Sequence, residues 1–259
     1  MSSARGHRAR GTQLLSAFVL HRYDWSESSL ILDLFTREQG RVAVAAKGAK
    51  RPYSQLRAVL LPFQRIQVAL GRVATDESAS EVQNLRGAEW AGGESMLTGA
   101  ALFSGFYLNE LLMKLLARHD PHSALFDAYA QTLPALALIE DAPVEAALRA
   151  FELTLLREIG VLPDLSVATL TQQHVLEAEP YSLLPEAGVG APRPAEAQIA
   201  GAVLIGLQAA LEHGSVPALQ QACLRALPEL KVLLRGLLHY HLGSSTLRTR
   251  QVMMQLQSL

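Results

Sequence analysis

Lys47, Lys50 and Arg51 fall within five residues of one another in the stretch AAKGAKRPYSQLR, and Tyr53 follows directly. Cations grouped this way suit phosphate oxygens, because each Lys or Arg set against a phosphate releases condensed counterions. Gly48 lets the backbone approach a phosphate closely, and Pro52 stiffens the exit of the loop. The Tyr53 ring offers a face on which a base can stack, worth about 1–3 kcal/mol per base in single-strand binders. This is binding chemistry rather than bond making. The plainer alternative is a polar loop between two strands. The tract is not a P-loop, since GxxxxGK[ST] is absent, and nucleotide hydrolysis has no support.

The loop belongs to a wider asymmetry. Residues 1–72 hold 12 Lys and Arg against four acids, a net +8, whereas residues 73–259 carry −9; the whole-chain charge of −1 conceals this. A segmental excess of this size points to a polyanion partner. The candidate nucleic-acid contacts are Arg37, Arg41, Lys47, Lys50, Arg51, Tyr53, Arg57 and Arg65. Tyr23 and Trp25, in the polar strand end HRYDWSES, add aromatic faces, although strand-end aromatics more often serve rim packing.

The elements that position these residues follow from periodicity. Residues 1–12 are rich in Gly, Ser and Arg and read as a disordered basic tail. SAFVLHRY and SLILDLFT read as strands, the second with Leu30, Leu32 and Leu34 on one face and Ile31, Asp33 and Phe35 on the other. Gly40 closes a turn into RVAVAAKG, and RIQVALGRV and SASEVQNLRG complete five short strands. Such a set predicts a small barrel, with the OB-fold the leading candidate, over residues 13–88. The alternation places Phe18 and Phe35 inside it.

From Gly92-Gly93 the period becomes helical, and an all-α module is expected over 94–250. Its helices are MLTGAALFSGFYLNELLMKLLARH, then SALFDAYAQTLPALALI with Pro134 ending or kinking it. PVEAALRAFELTLLREIG follows, with Pro143 in its first turn and Gly160 at its C-cap. Residues 163–198 are Pro/Gly-rich and irregular. Two final helices run through AEAQIAGAVLIGLQAALEH and VPALQQACLRALPELKVLLRGLLHYHL. The fold class is therefore α+β, a five-stranded barrel followed by a helical domain. Arg149 and Arg157, with Leu153 and Leu156, suggest an apolar groove rimmed by arginine that suits an acidic, hydrophobic-ended peptide. The alternative is core leucines beside solvated arginines.

Several classes lose support. One cysteine, Cys223, excludes an intramolecular disulfide framework and fits a reducing compartment. The pairs His119/His122 and His239/His241 lack a carboxylate at a characteristic spacing, and HExxH is absent, so no metal is expected. Neither GxSxG nor a paired-carboxylate signature stands out, so no enzyme is expected. Arg5 to Arg10 before LLSAFVL faintly resembles a signal peptide, but His21 to Asp24 stand where a cleavage site belongs. No apolar run approaches the length of a membrane span. A cytoplasmic, soluble protein is expected. The rival readings are an RNA-binding OB module, a metal-dependent hydrolase using the histidine pairs, and an interaction scaffold whose basic face meets an acidic protein.

AFVLHRYDWSESSLILDLFTREQGRVAVAAKGAKRP, LLPFQRIQVALGR, FSGFYLNELLMKLLARHDPHSALFDAY, LRAFELTLLREIGVLPDL, YSLLPEAG and a weaker LGSSTLRTRQVMMQL resemble, in family order, the RecO family of bacterial recombination mediators. The resemblance covers most of residues 14–250. It implies an amino-terminal OB-fold and a carboxy-terminal helical domain, with binding of single- and double-stranded DNA and annealing of complementary strands. It also implies work with RecR, contact with the acidic tail of single-stranded-DNA-binding protein, and, indirectly, loading of RecA, in the cytoplasm and associated with the nucleoid. Arg37, Arg41, Lys47, Lys50 and Arg51 carry over by position, none of them catalytic, and no cofactor is implied. Some family members hold zinc with four cysteines in the helical domain. Here SVATLTQQHVLEAEPYSLLPEAG has no cysteine, so apolar contacts are expected to hold that part together.

Overall fold

The computed structural model describes residues 14–71, 82–92, 96–194, 196–243, 247–249 and 251–252. The basic tail at 1–12, residues 72–73 of the fourth expected strand, 78–81 of the fifth, and Gly93 lie outside the described residues.

Alternating hydrophobics build five strands: β1 (Leu14–Asp24), β2 (Leu30–Thr36), β3 (Gly40–Ala46), β4 (Ile66–Leu70) and β5 (Gln83–Trp90). They close into a barrel in the order β1-β2-β3-β5-β4, antiparallel except for the β3–β5 pair, with β1 meeting β4. A short helix, α1 (Leu56–Val59), lies between β3 and β4, and Leu56, Val59 and the adjoining Leu60 pack on the barrel core. This is an OB-type barrel.

Inside it sit Val19, Leu32, Leu34, Val42, Val44 and Ile66, with Leu15, Ala17 and Val68. Phe18 and Phe35 are buried, but not where the sequence reading put them. Each is one residue from an interior position (Val19, Leu34), so alternation aims it outward. There the two rings meet Phe126 (centroids 5.1 and 5.4 Å) and Tyr129 (5.0 and 6.3 Å) of the helical module. The outer face of β1 and β2 thereby joins the core of that module.

The second module contains α2 (Gly99–Leu115), α3 (Ser123–Leu136), α4 (Asp141–Glu158), α5 (Gly201–His213), α6 (Val216–Cys223) and α7 (Leu227–Leu242). Asp141 and Pro143 start α4, Arg157 lies in its last turn, and Gly160 at φ +75° lets the chain leave it. α4 is the central helix, with Ala146, Ala147, Ala150, Phe151, Leu153, Leu155 and Leu156 all buried. The long final helix expected over 216–242 is broken by a 3₁₀ turn at Leu224–Ala226, because Pro228 has no N–H to continue the ladder.

The segment expected to be irregular holds a three-stranded antiparallel sheet, β6 (Pro180–Leu184), β7 (Gly188–Gly190) and β8 (Gln198–Ala200), in the order β7-β6-β8. The module is therefore not all-α, and α5 begins only after β8. Leu165, Val175, Leu183, Val189 and Ile199 tie this region into the helical core. Among the described residues no helix is long and apolar enough to cross a membrane.

Candidate nucleic-acid interface

β1 sets the geometry of the barrel mouth through a bulge. Its pairing with β2 slips between Val19 and His21, so Leu20 and His21 fall on the same outward side. Arg22 then pairs across from Leu32, an interior position, and its side chain comes to the open end of the barrel, where Nη1 reaches the Leu60 carbonyl oxygen at 3.4 Å. A cleft of about 380 Å³ opens there, walled by Arg22, Lys50 and Arg57 with Asp24 beside them, and floored by Leu30, Ala49, Leu56 and Leu60.

The loop after β3 forms the rim. Gly48 has φ +73°, a conformation side chains resist, and its amide donates to Ser29 Oγ at 3.4 Å. The Lys50 amide donates to the Ser28 carbonyl at 3.0 Å. Lys50 Nζ lies 3.0 Å from both the Ser26 carbonyl and the Asp24 carboxylate, so this lysine clips the β1–β2 turn to the loop and is partly neutralised. Lys47, Arg51 and Arg57 are exposed, and none makes an ion pair among the described residues. Tyr53 is 99% exposed and Trp25 58%. Tyr23 is the less available ring: it stacks edge-on with His21 at 4.4 Å, and burial together with the nearby Asp33 carboxylate pushes its hydroxyl pKa up.

The eight sequence candidates thus divide. Lys50 and Arg57 line the cleft at the mouth, and Lys47, Arg51 and Tyr53 are exposed on the stretch between β3 and α1. Arg37, Arg41 and Arg65 lie at the junction with the helical module. Arg37 pairs with Asp127, Arg41 Nη1 donates to the Met113 carbonyl, and the Arg65 guanidinium stands 5.9 Å over the Phe126 ring. Arg37, through both Nε and Nη2, and Arg41, through Nη1, thus serve the docking of the β2–β3 hairpin onto α3 and α2. Arg22 joins the cleft lining, and no period-2 reading places it there, because the bulge inverts the parity of β1 after Val19.

The groove expected from Arg149, Leu153, Leu156 and Arg157 is not formed. Both leucines are fully buried under neighbouring helices. Eight residues along a helix turn it by about 80°, so the two arginines diverge. Arg157 reaches the Leu211 carbonyl at the end of α5. Arg149 lines a different cavity, of about 240 Å³, with Tyr107 from α2, Lys231, Arg235 and Leu238 from α7, and Leu247.

The histidine pairs do not converge on a metal: among the described residues no group of three or more His, Cys, Asp or Glu could hold one. Cys223 is buried among apolar groups, and burial pushes its thiol up to about 12, which leaves it protonated.

An OB-type barrel with a cationic mouth, joined through its outer face to a mainly helical domain, defines the class of this protein. Residues 12–91 match the family model "Recombination protein O N terminal", and residues 96–251 match "Recombination protein O C terminal". The chain is 50% identical over 245 residues to "DNA repair protein RecO" of Albidiferax ferrireducens, covering 94% of this chain and 95% of that one. It is 51% identical to the proteins of the same name from Polaromonas naphthalenivorans and Variovorax paradoxus, covering 94% of this chain and 96% of each. The chain belongs to the RecO family, and a role in DNA repair and recombination follows from that membership.

Proposed function

We propose that the protein is a non-enzymatic DNA-binding mediator that anneals complementary single strands. With RecR, it helps load RecA onto DNA coated by single-stranded-DNA-binding protein. The observation that carries this reading is the barrel mouth, where Arg22, Lys50 and Arg57 line a leucine-floored cleft and the adjoining loop carries exposed Lys47 and Arg51 and the fully exposed Tyr53. Cations neutralise the phosphates of two strands and lower the repulsion opposing their pairing, while an aromatic face holds a base transiently. No step needs a nucleophile or a metal. Association with the nucleoid follows from DNA binding.

The helical domain supplies the partner site. Arg149, Lys231 and Arg235 rim an apolar cavity walled by Tyr107, Leu148, Leu238 and Leu247. This chemistry suits the acidic tail of single-stranded-DNA-binding protein: carboxylates meet the cations and an apolar end enters the cavity.

The test is annealing of two complementary oligonucleotides, each precoated with cognate single-stranded-DNA-binding protein, over a salt series. Salt-sensitive acceleration is expected. DNA binding without acceleration would reduce the protein to a passive binder. Equal or tighter binding of RNA of the same sequence would favour the RNA-binding reading.

A further inference from the structure

We propose that Glu152 is a proton-linked gate in the helical-domain cavity, taking up one proton when a carboxylate-ended acidic peptide docks beside Arg149. The proposal rests on the docking reading above and goes on to its regulation.

Glu152 lies on α4 with no exposed surface, yet it lines the cavity. Its Oε1 accepts from the Tyr107 hydroxyl at 2.6 Å and from Arg149 Nη2 at 2.8 Å. Its Oε2 and Arg149 Nε have no hydrogen-bond partner among the described residues. A buried acceptor and a buried donor, on two residues that line one cavity, thus lack partners, and unsatisfied polar atoms are costly.

A ligand carboxylate completes Arg149 by accepting from Nε. Facing an ionised Glu152, the same carboxylate meets like charge at close range. A proton from solvent on Oε2 resolves both problems, because the protonated Glu152 then donates to the ligand. The facing groups are Tyr107 from α2, Arg149 from α4, and Lys231, Arg235 and His239 from α7, with buried Cys223 from α6 behind. Lys231 is already paired with Glu145 at 2.8 Å. Burial raises the carboxyl pKa of Glu152, opposed by Arg149, the Tyr107 hydroxyl and Arg235, which brings the proton within reach.

The experiment is calorimetric titration of the full-length protein with a synthetic aspartate-rich nonapeptide ending in phenylalanine. It is run from pH 6 to 8 in buffers of different ionisation enthalpy. Proton uptake approaching one per peptide is expected, with affinity falling by up to about tenfold per pH unit where free Glu152 is ionised. Glu152→Gln should bind with neither uptake nor slope, and the peptide's C-terminal amide should bind more weakly without uptake. Tyr107→Phe, which removes a donor favouring the ionised form, should move the slope to higher pH; it decides the matter if Glu152→Gln fails to fold. Wild-type binding without uptake would overturn the gate alone, as would a slope retained in Glu152→Gln. No binding at any pH would overturn the docking reading and the gate together.

Discussion

Arg37 and Asp127, 90 residues apart in the chain, meet through two parallel hydrogen bonds, Nε to Oδ1 at 2.9 Å and Nη2 to Oδ2 at 2.8 Å. This fork ties the β2–β3 hairpin of the barrel to α3. A guanidinium already held by a carboxylate has little to offer a phosphate. Arg37→Ala should therefore leave single-strand DNA affinity within about twofold of wild type, since few counterions are released on its account. It should also speed amide exchange in the hairpin, and the Arg37→Asp/Asp127→Arg swap should restore protection. A large loss of DNA affinity with hairpin protection intact would return Arg37 to the interface.

Asn109 and Tyr129 answer the bulge in β1. The bulge interrupts the β1–β2 pairing at Leu20, and Asn109 Nδ2 donates to the Leu20 carbonyl at 2.9 Å while the Tyr129 hydroxyl donates to Asn109 Oδ1 at 2.5 Å. All of this is buried. Tyr129→Phe should cost about 1–3 kcal/mol in chemical denaturation, the penalty for an acceptor left unpaired. Asn109→Ala, which strands two groups, should cost more. An unchanged midpoint in both variants would remove this network from the account of the junction.

Gly40 is required twice over. Its φ of +67° belongs to the left-handed region, and a Cβ there would stand 1.9 Å from the Asp120 carbonyl oxygen. The close approach comes from the loop between α2 and α3, where the His119 amide donates to the Arg41 carbonyl at 3.0 Å. Gly40→Ala should destabilise the protein by at least about 2 kcal/mol, combining backbone strain with a clash against main chain. Thermal unfolding measures it; a loss no larger than that of an exposed-surface substitution would contradict the docked hairpin.

Glu110 holds residues 248 and 249 against α2. Its carboxylate accepts from the Arg248 amide at 2.8 Å, the Thr249 amide at 2.9 Å and the Thr249 hydroxyl at 2.7 Å. Burial pushes its carboxyl pKa up, but these bonds outweigh burial and hold it below the ordinary value. A depressed carboxylate contributes stability that is present above the unfolded pKa, about 4.3, and is lost as pH falls through the lower folded value. Acidification below about pH 4 should therefore release this segment, seen as a Thr249 amide resonance that moves with the Glu110 titration. A Thr249 amide indifferent to that titration would disprove the contact.

The period-2 runs of β1 to β3 and the capped helix α4 are visible in sequence because each carries its own signal: alternation, Pro143, Gly160. Other features are not local. β7 and β8 are three residues each, too short to display a period. The burial of Phe18 and Phe35 is legible, but which core receives them depends on a helix that begins more than 80 residues after either strand ends. The partners of Arg37 and Arg41 lie 90 and 72 residues away, so their composition reads as a DNA contact while their geometry serves the junction. The loop of Lys47, Lys50 and Arg51 was legible because glycine, proline, aromatic and cations lie together in one stretch. The cavity of Arg149 is assembled from α2, α4, α7 and residues 247–249, and no single stretch announces it.

DNA binding by the barrel mouth, and not by the module junction, is what separates the two groups of cations. It is tested most directly by the salt dependence of single-strand DNA binding in three proteins: wild type, Lys47→Ala/Arg51→Ala/Arg57→Ala, and Arg37→Ala/Arg65→Ala. The mouth variant should bind all sequences more weakly, with its log–log salt slope shallower by about 2, as expected for three lost phosphate contacts on a single strand. The junction variant should keep the wild-type slope. A mouth variant with unchanged affinity and slope, or a junction variant that loses them, would contradict the account.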